Sequence, residues 1–175
     1  MQDLSSASDK VLSGEIRSEN NSAFKIIYYR YSEQLANFVY HRTFSEELTK
    51  DLIQEVFTRL WEKRKVLNPQ KSLKAYLYRI ANNLIIDHSR KHSSRKKYIE
   101  VKTDQRIPSK SDSLDTEISY KMVLKNLPKK LSTVFLLSRH EGLKYHEIAE
   151  ACGISIKTVE RRMSQALLLL QKELL

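Results

Sequence analysis

Apolar residues recur every three or four positions along most of the chain, the period of an α-helix with one face on a core. Helical signals begin at Asp9 and run through Arg17. Asn20, Asn21 and Ser22 then offer side-chain oxygens to cap a second helix starting near Ala23. Its buried face is marked by Phe24, Ile27, Tyr28, Tyr31, Leu35, Phe38 and Val39. A third helix is predicted from Ser45 to Lys65, where Leu48, Leu52, Val56 and Leu60 form a stripe. After a loop containing Asn68 and Pro69, a long helix is predicted from Ser72 to His92, with Leu73, Leu77, Ile80 and Leu84 inward.

Patterning stops after Lys97. The next stretch carries Pro108 and closely spaced serines and threonines with almost no apolar periodicity, so residues 98–115 read as a flexible linker. Helical spacing resumes at Thr116, and Pro128, Gly142 and Gly153 divide the remainder into four helices. Only 3 glycines and 3 prolines occur in 175 residues, and strand-type alternation is scarce. The expected fold is all-α: two small helical domains, residues 1–97 and 116–175, joined by the linker.

Charge narrows the choice of partner. The net charge of +10 favours a polyanion, meaning DNA, RNA or an acidic membrane surface. No apolar run approaches the roughly 20 residues of a membrane span, and the polar, Ser-rich start is unlike a signal peptide. A lone cysteine, Cys152, allows no internal disulfide. A cytoplasmic protein without membrane insertion is expected.

The sharpest local motif is a helix-turn-helix over Leu143–Leu170. Ala149 is small enough for two helices to approach, Gly153 can take the left-handed turn conformation, and Val159 anchors the second helix on the first. Cys152, in the turn, reads as a small buried residue rather than a reactive thiol. Ser155 is a candidate N-cap, after which Val159, Met163, Ala166 and Leu170 point inward. Lys157, Thr158, Arg161, Arg162 and Gln165 point outward without an acid among them. Basic and amide groups near the start of an exposed helix suit major-groove phosphates and base edges.

In the long helix, Tyr76, Arg79, Asn83, Asp87 and Arg90 share one face, and Arg90-Lys91-His92-Ser93-Ser94-Arg95-Lys96-Lys97 follows as a dense basic run. Rings stack on unpaired bases, cations hold phosphates and amides read base edges. In the preceding helix, Gln54, Phe57 and Trp61 lie on a flank away from the Leu48 stripe, with Asp51, Glu55 and Glu62 on an acidic side. Exposed aromatics beside carboxylates fit a protein partner. The competing reading is that Phe57 and Trp61 extend the core.

Three ordered segments carry a family resemblance. Lys50 to Arg64, reading KDLIQEVFTRLWEKR, resembles the polymerase-binding helix of bacterial extracytoplasmic-function sigma factors. Leu73 to Arg90, including Ala75 to Asn83 and Asp87, is similar to their promoter-melting helix. Leu127-Pro128, Glu141 to Ala149 and Thr158-Val159 are similar to their second domain. The resemblance covers the chain from about Asp9 onward. It implies a region-two-like first domain and a region-four-like second domain.

By this resemblance, Asp51, Gln54, Glu55, Phe57 and Trp61 dock core RNA polymerase. Tyr76, Arg79, Asn82, Asn83, Asp87, Arg90 and Lys91 engage the minus-ten promoter element, with a base flipped out near Asn83. Ser155, Lys157, Thr158, Arg161, Arg162 and Gln165 read the minus-thirty-five element. An anti-sigma factor is the further partner implied. Lys50 stands where relatives often carry an acid, and the run Leu167–Leu170 is unusually apolar for a helix end.

Two other functions compete with this reading. A conventional helix-turn-helix regulator would bind duplex promoter DNA without polymerase. An enzyme on nucleic acid would need more than Asp51 and Glu55, four residues apart, to hold a metal. His41, His88, His92, His140 and His146 show no ligand spacing, and no glycine-rich phosphate loop occurs. The expectation is no catalytic residue, no metal and no cofactor.

Overall fold

Ser8, Asn20, Ser45, Ser72 and Ser155 each accept, through a side-chain oxygen, backbone N–H groups of the turn that follows. Such caps satisfy donors that a helix start leaves unpaired. Helices begin at these points in the computed structural model, which describes residues 4, 6–96 and 124–173. The helices are α1 (Asp9–Arg17), α2 (Asn21–Thr43), α3 (Glu46–Glu62), α4 (Leu73–Lys96), α5 (Lys129–Arg139), α6 (Tyr145–Cys152) and α7 (Ile156–Glu173), with a 3-10 turn at Arg64–Val66. No strand occurs among the described residues, so the chain is all-α. No helix there is long and apolar enough to cross a membrane.

In the first group α2 packs on α1, α3 and α4, and α3 packs on α4. Leu12, Ile16, Ile27, Leu35, Phe38, Leu60 and Leu77 are closed off from solvent. Each such apolar side chain contributes about 1.5–3 kcal/mol over an exposed one. The face predicted for α2 is narrower than its sequence pattern suggests. Tyr28 is 40% exposed and Phe24 is half-buried, because both lie where α2 and α3 diverge.

The second group holds α5, α6 and α7 in mutual contact. Gly153 closes α6 at φ 65°, donating its N–H to the Ala149 carbonyl, and so supplies the left-handed residue the turn requires. Val159, Met163, Ala166 and Leu170 are buried as their spacing predicts. Leu167, Leu168 and Leu169 are 41%, 59% and 38% exposed, so the apolar run faces largely outward. The expected linker, residues 98–115, and the start of the second domain at Thr116 lie outside the described residues.

The two groups share one continuous apolar core, because α6 lies on α4 and α5 on α2. Polar contacts fasten one end of this seam. Ser72, which caps α4, donates to Glu147 Oε1 at 2.7 Å, and Glu147 Oε2 accepts the Lys144 N–H at the start of α6 at 2.9 Å. The starts of two helices from different groups are thus tied through one carboxylate. Burial raises the pKa of Glu147, but the bonds from Ser72 and Lys144 and the charges of His146 and Lys74 outweigh it and hold the carboxyl below its usual range. Beside it, Tyr78 donates to the Glu141 carboxylate and Lys74 to the Glu141 carbonyl. Lys71 pairs with Glu150 at 3.4 Å at the exposed edge.

Candidate nucleic-acid and partner interfaces

The apolar flank predicted on α3 forms one wall of an open groove of about 1050 Å³ between α2 and α3. Phe24 packs edge-on to Trp61 at 5.3 Å and to Phe57 at 6.2 Å, and the Tyr28 and Phe57 rings lie 4.7 Å apart. Arg64 stacks over the indole of Trp61 at 4.5 Å, which fixes its orientation. Phe57 is only 3% exposed and belongs to the core as the groove floor, whereas Trp61 is half-buried at its end. The two aromatics therefore divide between the alternatives posed from sequence.

Gln54, Phe57 and Trp61 are brought together on this groove. Asp51 and Glu55 are not. Asp51 is exposed off the groove, and Glu55 pairs with Arg59 at 2.7 Å beside a smaller depression that also holds Asp87 and Lys91. Phe24, Tyr28, Lys50 and Ile53 line the groove without having been singled out for it. Phe24 and Tyr28 were hidden in the sequence because an apolar groove wall has the same spacing as a core stripe.

Along α4, Arg79, Asn83, Asp87, Arg90 and Lys91 are exposed. Tyr76 is half-buried, and burial raises its phenol pKa against the opposing charge of Arg79. Asn82 departs from the set, being 4% exposed beneath the second group. This is a face of three cations, one amide and one carboxylate beside an aromatic, open along one side.

Ser155, just before α7, and Lys157, Arg161 and Gln165 on it are exposed, and Thr158 is half-buried. The Ser155 hydroxyl accepts the Thr158 N–H at 3.2 Å and lies 2.9 Å from its Oγ1, so the start of the helix is firmly set. Arg162 turns instead toward the seam, near Cys152 and Arg42. Burial pushes the Cys152 thiol up to about 11, with both arginines pulling the other way, so the sulfur stays protonated and unreactive.

Two family models match this arrangement. Residues 27–95 match sigma-70 region 2 and residues 118–170 match sigma-70 region 4. RNA polymerase sigma factor SigV of Bacillus subtilis is 30% identical over 129 residues, covering 71% of this chain and 74% of that protein. Sigma factor YlaC of the same organism is 25% identical over 89% of this chain and 94% of its own length. Among solved structures, the sigma factor RpoE in complex with the anti-sigma factor NepR from Bartonella quintana is similar at TM-score 0.72 and 25% identity. That match covers 86% of this chain and 96% of RpoE. CnrH, solved with the cytosolic domain of CnrY, shares the fold at TM-score 0.73 and 23% identity, covering 95% of this chain and 96% of its own.

Proposed function

The chain belongs to the extracytoplasmic-function sigma factors of the sigma-70 family, and from that premise we propose that it binds core RNA polymerase, carries it to particular promoters and helps open them. The observation that carries this reading is the pairing, on one chain, of an aromatic groove on α2 and α3 with two separate cationic helix faces on α4 and α7.

In this reading Trp61 and Gln54 at the groove take a helical surface of the polymerase, with Phe24 and Tyr28 extending the contact. The first domain, residues 1–97, meets the minus-ten element through Tyr76, Arg79, Asn83, Arg90 and Lys91. A base extruded from the duplex costs a few kcal/mol, which stacking and amide contacts offset. The second domain, residues 116–175, reads the minus-thirty-five element through Lys157, Thr158, Arg161 and Gln165. Asn82 and Arg162 face one cleft, so the two groups part before either residue reaches DNA. An anti-sigma protein, like the one bound to the similar RpoE, holds the factor in reserve.

The test is to mix the purified chain with bacterial core polymerase and promoter DNA and to probe for unpaired bases. Reactive thymines near the start site, dependent on both proteins, are expected. Duplex binding without polymerase and without strand opening would instead identify a conventional regulator.

A further inference from the structure

The seam between the two groups segregates its charges. Glu141, Glu147 and Glu150 gather with Lys71 and Lys74 at the fastened end. At the other end lies a cavity of about 670 Å³ whose lining, among the described residues, contains no aspartate or glutamate. The first group contributes Arg42 and Arg90 together with the imidazoles of His88 and His92, whose rings lie 4.5 Å apart. The second group contributes Lys129, Lys130 and Arg162. Folding has therefore drawn cations from two separate helical groups into one hollow, against their mutual repulsion.

Arg42 is the most telling of them. Among the described residues, its Nε is buried without a hydrogen-bond partner, and its Nη1 makes a long 3.4 Å contact with the Ser132 hydroxyl. Partial burial lowers its pKa, as expected for a guanidinium that gives up part of its hydration without meeting a carboxylate among the described residues. Lys129 and Lys130 open α5, so their side chains and the positive end of that helix converge on the same hollow. Leu48, Ile85 and Ile154 form an apolar wall alongside.

We propose that this cavity binds a small polyphosphate of the class of nucleoside di- and triphosphates, with the phosphates on Arg42, Lys129 and Arg162 and the apolar wall against the base. Its volume falls in the range of small-molecule sites. A volume of about 670 Å³ is far too small to enclose a DNA duplex, so the ligand is small. The bound anion bridges the two groups and holds them together. The cavity shares Arg90 with the proposed minus-ten face, and the test contains neither polymerase nor DNA, so it reads the small-molecule site alone.

The full chain is titrated calorimetrically with ATP and, separately, with inorganic tripolyphosphate at physiological ionic strength. Saturable 1:1 binding is expected, weakened about tenfold or more by Arg42→Gln or by the double substitution Lys129→Gln, Lys130→Gln. The second variant changes only exposed side chains, so it decides the matter if Arg42→Gln does not fold. A control, Lys10→Gln with Lys172→Gln, removes the same charge from exposed positions outside the cavity and should bind as the parent does. Tighter binding of ATP than of tripolyphosphate supports the base contact. Equal affinity overturns that contact while retaining the phosphate site. Equal weakening in the control, or binding that never saturates, reduces the effect to general attraction by net charge and overturns the proposal, as does the absence of binding.

Discussion

The Tyr78 hydroxyl, in the second turn of α4, donates to the carboxylate of Glu141 across the seam, and the two residues are 0% and 7% exposed. Burial first, and then the bond to Glu141, keep the phenol protonated far above its usual range. Neither partner has water to fall back on. Glu141→Ala leaves a buried hydroxyl unsatisfied and should cost about 1–3 kcal/mol in urea unfolding. It should also loosen the seam, seen as a larger radius of gyration in solution scattering. An unchanged midpoint and radius would show that the apolar contacts of α4 and α6 hold the groups together alone.

Glu141 also gives the seam a pH dependence. Burial raises its pKa, and the Tyr78 bond and the Lys74 charge only partly offset this. A folded pKa above the unfolded value of about 4.5 means that its favourable share is fully present below that pH and is lost as pH rises through the raised value. Glu141→Gln keeps an acceptor for Tyr78 but cannot titrate. Urea midpoints measured from pH 4.5 upward should therefore fall less steeply in Glu141→Gln than in the parent. Parallel curves would mean that Glu141 titrates alike in both states.

Phe57 and Trp61 should respond differently to truncation, although they share a groove. Phe57, 3% exposed, is part of the core, and Phe57→Ala should cost about 3–5 kcal/mol of stability. Trp61 is half-buried at the groove end, so Trp61→Ala should weaken capture of core polymerase while leaving the domain folded by circular dichroism. Collapse of the Trp61 variant would assign the indole to the core and remove it from the docking surface.

Arg161 is exposed on α7. If it reads a guanine edge, Arg161→Ala should reduce affinity for the cognate promoter by about 1–3 kcal/mol and relax specificity at one position. A shift of equal size on every sequence would make it a phosphate contact instead.

Much of the fold was legible because its signals are local. Asn20, Ser45 and Ser155 cap helices where side-chain chemistry allows, and Gly153 takes the conformation its turn demands. What escaped was long-range. The spacing of α4 showed one inward stripe, yet Ala75, Tyr78, Asn82 and Ile85 are buried too, because α6 and its neighbours cover a second side. Asn82 and Arg162 read as open positions for the same reason, since periodicity says nothing of which separate group lies across from a helix. The groove residues Phe24 and Tyr28 were disguised as core. Glu141 and Glu147 gave no sign that their partners, Tyr78 and Ser72, stand 63 and 75 residues earlier.

The uneven distribution of charge along the seam has a consequence for ionic strength. Screening weakens the pair of Lys71 with Glu150 at one edge, while at the opposite edge it relieves the crowding of Arg42, Arg90, Lys129 and Arg162. Added electrolyte thus acts on the two margins in opposite senses, weakening one and easing the other.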